Sequence, residues 1–511
     1  MATTLGRVLK RRGATPTDRS TPSTAPTARA TRAAISVTSA VPLAVYVYVA
    51  LRRIAYPFEL EWLEGGAVEI VNRVVHGQGI YVAPTLHYVA YPYPPLYFWI
   101  SAGLAKLIGV GFLAPRIVSF ISSLGSFVVL WRMVQKETRD PVAGLVAAGI
   151  FAAAFEVSGA WFDLARVDSL FILLLLLAVS AARVARNWRG GMTVGLLLFL
   201  AFFTKQTALL AAVPLLVYLG FVRWRVAVGA VVTLALFLVV STTALDWTSH
   251  GWYSYFVFHE LPNQGINAKA LRTFIPTSLL RPTGWAIAIA LAGIVLSCWR
   301  QRSRGIWPFW IVVSAGLVGA SWLSLVHAGG SSNVLIPAYA GVAICTGLGY
   351  DAIRRADVRR PGLVGALVAG ILVVQVVQLS HRPLHEIPSA SSEAAGRQFI
   401  ALVASIPGQV IVADHPWYDT LAGKPSWAQS EAVHDVLRAG PSVARTDLLA
   451  SIAATLRSAS VTTVFADDPG DTIGPDFHRY FTLGPPVFRC ARCFFPVTDV
   501  PRRPYLRFDR R

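Results

Sequence analysis

Over the first three quarters of the chain, polar residues are confined to short segments between long apolar runs. Runs of about 17 to 25 residues, the length that crosses about 30 Å of hydrocarbon, fall near 35–53, 116–134, 141–158, 169–186, 191–204, 206–222, 226–245, 285–300, 306–326, 334–352 and 362–380. This pattern predicts an all-α polytopic membrane bundle of about eleven transmembrane helices. Two stretches need a decision. "PPLYFWISAGLAKLIG" (94–109) opens with prolines and ends at Gly109. Its helix would be about 22 Å long at 1.5 Å per residue, too short to cross, so it is expected to lie at the membrane face. The run 191–222 would make one helix of about 48 Å with Lys205 at its middle, so it is expected to break at "TKQT" into two spans.

Beyond residue 380 the period changes. "GQVIVAD" and "VTTVFAD" read as buried strands, and 392–405, 427–438 and 446–457 read as helices. Residues 381–511 are therefore expected to form a small C-terminal α/β domain outside the membrane. Residues 1–33 are rich in Thr, Ala, Pro and Arg and hold a single acid, Asp18. They predict a disordered basic tail. No cleavage-site layout follows it, so the first apolar run is expected to remain as an anchor. Between these lies the membrane domain, 34–380, with a first outer loop at 54–115. In that loop Ala67, Ile70, Val71, Val74 and Val75 have helical spacing, and Gly77 and Gly79 end the helix.

Charge sets the expected orientation. Only 14% of residues are charged, where a soluble protein carries roughly a quarter, and the formal net charge is +19. Much of the excess sits in connectors at 132–139, 183–189, 223–225, 300–304 and 354–360. The positive-inside rule accounts for this better than nucleic-acid binding, for which no basic stripe interleaved with aromatics exists. With these connectors and the N-terminus in the cytoplasm of a plasma-membrane protein, the C-terminal domain is extracytoplasmic and all ten histidines fall outside. Of the four cysteines, Cys298 and Cys345 lie in apolar runs and read as packing residues. Cys490 and Cys493 form one CxxC, weak evidence for zinc and equally compatible with a small-loop disulfide.

Chemistry concentrates at the outer edge. "ELEWLEGG" places Glu59, Glu61 and Glu64 within six residues, at a boundary where acids are costly unless they pair or work. Helix capping is the plain alternative for Glu64, worth about 0.3–1 kcal/mol. "WFDLARVDSLF" (161–171) holds Asp163, Arg166 and Asp168, readable as a helix-ending ion pair or as an acid and anion site. Lys205 needs a counter-charge or a wet cavity, and a lipid phosphate would supply the former. Weaker candidates are His259 in "SHGWYSYFVFHELPNQG" and Asn333 in "HAGGSSNVLIP", both more readily read as loop structure than as chemistry.

In order and spacing, "EWLEGG", "YPYPPLY" (91–97), "RIVSFISSLGSFVVLW" (116–131), "ARVDSLFILLLLL" (165–177) and "GLLLFLAFFTKQTALL" (195–210) resemble the GT-C superfamily of polytopic glycosyltransferases. The similar branch contains protein O-mannosyltransferases, aminoarabinose transferases and rhizobial lipopolysaccharide sugar transferases. The resemblance covers roughly residues 35 to 245. It implies a polyprenyl-phosphate sugar donor and an inverting transfer on the outer face. It also implies an acid in the first outer loop as base or metal ligand: Glu64 fits best and Glu61 second. Asp168 corresponds to the acid opening the fourth span, and Lys205 to the lysine after the fifth. The family often has an aspartate in the first loop, and this loop has none.

The expected chemistry is removal of a proton from an acceptor hydroxyl by a carboxylate, with Arg166 and Lys205 stabilising the departing lipid phosphate. Glu64, Asp163 and His87 are the candidate ligands for a divalent metal (Mg or Mn). Trp62, Tyr91, Tyr93 and Tyr97 are expected to stack on sugar or line the isoprenoid path, or else belong to the interfacial aromatic belt. The acceptor is a saccharide, lipid or protein, met among membrane lipids. Two other functions remain open: a flippase of lipid-linked saccharide, which would need a midplane pathway, and a non-catalytic binder of lipid-linked sugar.

Overall fold

The structure, a computed structural model, describes residues 25–299, 305–356, 361–380, 382–468, 473–474, 476–488, 494, 496–498 and 505–511. Most of the basic tail and the Cys490–Cys493 pair lie outside them. Helix α1 (Ala25–Arg53) leads into the first loop, which carries α2 (Glu64–Val75) and α3 (Leu96–Ile108). Then come α4 (Leu113–Thr138), α5 (Pro141–Ala153), α6 (Asp168–Val184), α7 (Trp188–Phe202), α8 (Ala208–Val222) and α9 (Trp224–Ser249). Four further apolar helices, Arg281–Trp299, Trp307–Val326, Ile336–Arg355 and Pro361–Leu379, complete the bundle.

Among the described residues, seven helices are long and apolar enough to cross a membrane. This is a membrane protein. Each of the eleven expected spans coincides with a helix, but α5, α6, α7 and α8 have only 13, 17, 15 and 15 residues. At 1.5 Å per residue they are about 20–26 Å long. Length and composition by themselves thus mark seven of the eleven as crossings. The short helices end early because the chain leaves helical form at 154–167 and 203–207. Irregular backbone at such depth is tolerated where protein or a wet cavity surrounds it. The break at "TKQT" falls where expected, and α3, 13 residues or about 20 Å, is the short helix expected after the prolines.

Small residues let the helices approach. A Cβ on Gly191 of α7 would stand 2.3 Å from the Val226 carbonyl oxygen, and one on Gly229 of α9 2.3 Å from that of Trp188. Such close backbone contact replaces the hydrophobic drive that lipid removes. The described residues of the connectors at 132–139, 183–189, 223–225 and 354–355 gather at one end of the bundle. There Arg183 donates to Glu137 (2.5 and 2.9 Å), Arg223 donates to the Arg183 and Ala185 carbonyls, and Arg32 pairs with Asp140 at 2.6 Å.

The C-terminal domain carries a four-stranded sheet of order β1 (Gln409–Val412), β2 (Val461–Ala466), β4 (Leu506–Arg510), β3 (Phe481–Leu483). The β1–β2 pair is parallel and the other two are antiparallel. Both expected strands are the parallel pair, buried as their apolar runs require. The helices Ala390–Ser405, Ser430–Arg438 and Val443–Arg457 match the three expected ones. The domain rests on the first loop. Ala428 N–H donates to the Leu86 carbonyl, Thr498 N–H to that of Leu60, and the Tyr418 hydroxyl accepts from Glu59 N–H.

Candidate functional site

The end of the bundle opposite the basic connectors holds a cavity of about 430 Å³. Its walls come from the loop after α2, the two breaks at 154–167 and 203–207, residues 257–264, residues 323–334 and the helix Ser430–Arg438. Much of the lining is apolar, including Leu209, Leu210, Val257, Phe258 and Leu261. The polar side centres on Arg166, 4% exposed. Its guanidinium is boxed by Tyr91, Tyr93 and Trp161, with ring centroids 5.5, 5.6 and 4.9 Å away. One of its N–H groups donates to the Tyr93 hydroxyl at 3.3 Å, while Nε and Nη1 are buried without a partner. Burial works against its charge, but Tyr93 and Glu61 more than offset this and set its pKa above the usual arginine value.

Lys205 lies on the same wall, in the break between α7 and α8, and donates to Asp168 at 2.6 Å. Asn333 donates to the same Asp168 oxygen at 3.0 Å. Asp168 opens α6 behind these two residues, in a narrow extension of the cavity. The wall therefore presents two cations, one carboxylate standing behind the lysine, and spare N–H donors. That combination holds an anion.

The cavity brings together Arg166, Lys205, Asn333, Tyr91 and Tyr93, with Asp168 behind them. It does not bring in the remaining candidates. Glu64 is fully buried and accepts four hydrogen bonds: two from Arg116 (2.9 and 2.6 Å) and one each from Leu60 and Ala165 N–H, both 2.7 Å. Burial alone would raise its pKa, but Arg116 and the two N–H groups outweigh it and hold it below the usual carboxylate value. A carboxylate so saturated is a poor base, which corrects its expected role. Glu61 is buried and accepts from Leu63 N–H at 3.1 Å. It stands near enough to Arg166 and Tyr91 to act on both electrostatically, but it does not line the cavity.

Asp163 binds Arg53 through both oxygens (2.8 and 2.7 Å), with both side chains fully buried. His87 is exposed and stacks on Trp427 at 4.3 Å. Glu64, Asp163 and His87 thus do not fit a metal: two are held by arginines and the third serves another contact. Among the described residues no group of three or more His, Cys, Asp or Glu is placed to hold a metal ion. Tyr97 is also corrected, because its hydroxyl is committed to the Pro115 carbonyl (2.9 Å) and Ser119 (3.0 Å) inside the protein. His259 is exposed, outside the cavity lining.

A model of the dolichyl-phosphate-mannose-protein mannosyltransferase family matches residues 92–247. Comparison with curated protein sequences finds no match. Among solved structures, the chain is similar to ArnT from Cupriavidus metallidurans bound to undecaprenyl phosphate, with a TM-score of 0.59 and 12% identity over 92% of this chain and 97% of that one. The apo state of the same protein gives a TM-score of 0.60 and 13% identity over the same shares. The apo oligosaccharyltransferase of Archaeoglobus fulgidus gives 0.52 and 12%, covering 83% of this chain and 69% of that one. The chain has the GT-C fold.

Within this GT-C fold, several residues at the site escaped the sequence reading. Arg116 and Arg53 each open or close an apolar run, where a cation demands a counter-charge. That was a signal for the pairs they form. Glu59, the first of the three loop acids, binds His415 of the C-terminal domain, and His415 in turn reaches Asp467 at 3.1 Å. Gly65 and Gly66 let α2 start against this network: a Cβ on Gly65 would fall 2.0 Å from Glu59 Oε1, and one on Gly66 2.1 Å from the Tyr91 hydroxyl. Trp161, Gln206, Gln264, Glu431 and Asp435 also line the cavity. Nothing in the local sequence of the last two sets them apart from a solvated helix face.

Proposed function

We propose that the chain is an inverting membrane glycosyltransferase that moves a sugar from a polyprenyl-phosphate carrier to an acceptor hydroxyl on the extracytoplasmic face. The observation that carries this reading is Arg166: a buried guanidinium whose Nε and Nη1 have no partner, beside Lys205, in the wall of a cavity that is otherwise largely apolar. A buried donor left unbonded is costly unless a ligand completes it. A phosphate on an isoprenoid chain matches both features at once. The GT-C fold and the likeness to a protein bound to undecaprenyl phosphate support the same reading.

In this reading the acceptor oxygen bonds to the anomeric carbon as the carbon–phosphate oxygen bond breaks. One displacement inverts the centre. The electron pair stays on the phosphate, where Arg166 and Lys205 meet the added charge. Removing one such donor typically costs about 10²–10³ in rate. Tyr91, Tyr93 and Asn333 would then position the sugar or the phosphate. The gathering of the described basic connectors at the far end of the bundle supports a cytoplasmic N-terminus and an extracytoplasmic cavity. The test is transfer of labelled sugar from polyprenyl-phosphate donors by purified protein. Wild type is expected to turn over, and Arg166→Gln to fall by about 10²-fold or more with its fold intact. Wild-type protein that moves intact donor across a vesicle bilayer and transfers nothing would support the flippase instead.

A further inference from the structure

Building on the transferase reading, we propose that Asp435, carried by the C-terminal domain, is the carboxylate that receives the proton of the acceptor hydroxyl. The cavity has two chemically opposed sides. Arg166 and Lys205 come from the membrane bundle, whereas Glu431 and Asp435 come from the helix Ser430–Arg438. That helix buries Val433 and Val436 and turns Glu431, Ala432 and Asp435 to the cavity, the two acids four residues apart. Its place is fixed at several points. The Gln429 side chain caps it, accepting from Glu431 and Ala432 N–H, Ser430 bonds Asp414, and Gln264 of the bundle reaches the Asp435 carbonyl at 3.4 Å.

The two acids are not equivalent. Arg438 donates two hydrogen bonds to Glu431, at 2.8 and 3.1 Å, and stands 3.6 Å from Asp435. Glu431 is thereby engaged, and Asp435 is the less committed carboxylate. Beside it, Gln264 is 8% exposed and lines the cavity with its Oε1 buried and unpartnered, a second group awaiting a donor such as a substrate hydroxyl. Glu260 is buried with neither oxygen bonded, burial first and then Asp435 raise its pKa well above the usual carboxylate value, and it does not line the cavity. Asp435 itself is pushed up to about 7 by burial and then by Glu431, while Arg438, a hydrogen bond with the Gln264 side chain and Arg166 pull the other way. A base is most effective when its pKa lies near the working pH. The other acids are engaged elsewhere: Glu64 by Arg116, Asp163 by Arg53, and Asp168 by Lys205 and Asn333.

The step balances. The acceptor O–H gives its proton to Asp435 and its electron pair to the anomeric carbon. The anomeric carbon–oxygen bond to phosphate breaks, and the freed phosphate carries the extra negative charge beside Arg166 and Lys205. The test reads two quantities separately: sugar released from a labelled polyprenyl-phosphate sugar, and the thermal shift given by undecaprenyl phosphate. Asp435→Asn is expected to keep the undecaprenyl phosphate shift while turnover falls by about 10²-fold or more. Wild-type turnover should rise with pH through about 7, and the variant should lose that rise. Asp435→Glu, which keeps a carboxylate, should recover part of the rate. An Asp435→Asn enzyme within about threefold of wild type, or one that keeps the rise through neutral pH, overturns the assignment and leaves the transferase reading standing. Wild-type protein that neither shifts with undecaprenyl phosphate nor turns over overturns both.

Discussion

Two sets of buried charges lie side by side at the cavity end of this bundle, and they differ in one respect. In the first set, Glu64 with Arg116 and Asp163 with Arg53, the carboxylates and their arginines are fully buried and closely bonded. Arg53, besides Asp163, gives its remaining N–H groups to the Ala160 carbonyl, the Glu386 carbonyl and Thr498. Arg116 reaches the Tyr56 and Phe58 carbonyls at 2.6 and 2.7 Å. In the second set, Arg166 is also buried but keeps Nε and Nη1 without a partner. Burial and charge alone do not separate a strut from a site. Unspent hydrogen-bonding capacity facing a cavity does.

The contrast is broken most forcefully by exchanging the two fates. Arg116→Ala strands Glu64 without its counter-charge in the interior. Losing one member of a buried pair costs about 3–5 kcal/mol, so the thermal midpoint in detergent should drop sharply and activity should fall with the folded fraction. Arg166→Gln is expected to do the reverse: the midpoint stays close to wild type, while turnover and the stabilisation by undecaprenyl phosphate are lost. A matched fall in stability for both variants would show that Arg166 is a strut too.

His415 sharpens the comparison from a third place, the join between the first loop and the C-terminal domain. It is buried between Glu59 and Asp467. Burial alone would lower its pKa, but the two carboxylates outweigh this and lift it well above 6.5. A histidine whose folded pKa is raised contributes stability that is complete below its unfolded value and is lost as pH rises through the folded one. The docked domain should therefore loosen on the alkaline side, read as a falling thermal midpoint or faster proteolysis of the tail above neutral pH. His415→Gln should flatten that dependence and cost about 1–3 kcal/mol at neutral pH, because the carboxylates lose hydrogen bonds rather than all polar company. A wild-type midpoint that climbs with pH would contradict the sign.

What the sequence shows of this arrangement depends on how local each signal is. The apolar runs locate the helices, and Lys205 in the middle of one marks the break, because a charge in an apolar run must end it or pair. The lengths of α5 to α8 are not legible, since the flanks at 154–160 and 203 leave helical form although both continue apolar runs. β1 and β2 show as apolar runs, whereas β4 alternates charged residues around Phe508 and is half exposed, so nothing marks it as a strand. At the site, Arg166, Lys205 and Asp168 stand out as charges beside apolar spans. The partners of Glu64 do not. Arg116 is 52 positions away, and only the folded chain shows that it takes up the very carboxylate whose position looked most chemical. Asp435 is a further case: on a short amphipathic helix, a carboxylate facing water and one facing a substrate cavity have the same spacing.

The tyrosines of "YPYPPLY" give the finest version of the same distinction, because three identical side chains sit within seven residues. Tyr97 spends its hydroxyl inside the protein, on the Pro115 carbonyl and Ser119, and Tyr91 spends its own on the Leu63 carbonyl at 2.9 Å while its ring faces the cavity. Tyr93 turns both ring and hydroxyl to the site, where the hydroxyl meets Arg166. Tyr97→Phe should cost about 1 kcal/mol of stability and leave turnover per folded molecule unchanged, the ordinary price of one hydrogen bond. Tyr93→Phe should leave the thermal midpoint alone but reduce turnover by severalfold, because Arg166 loses a positioning contact and the cavity loses a polar group. The effect is smaller than that of Arg166→Gln, since the cation itself remains. Equal behaviour of the two variants in both measurements would mean that Tyr93 is packing like Tyr97, and would move the sugar-facing wall towards Trp161 and Asn333.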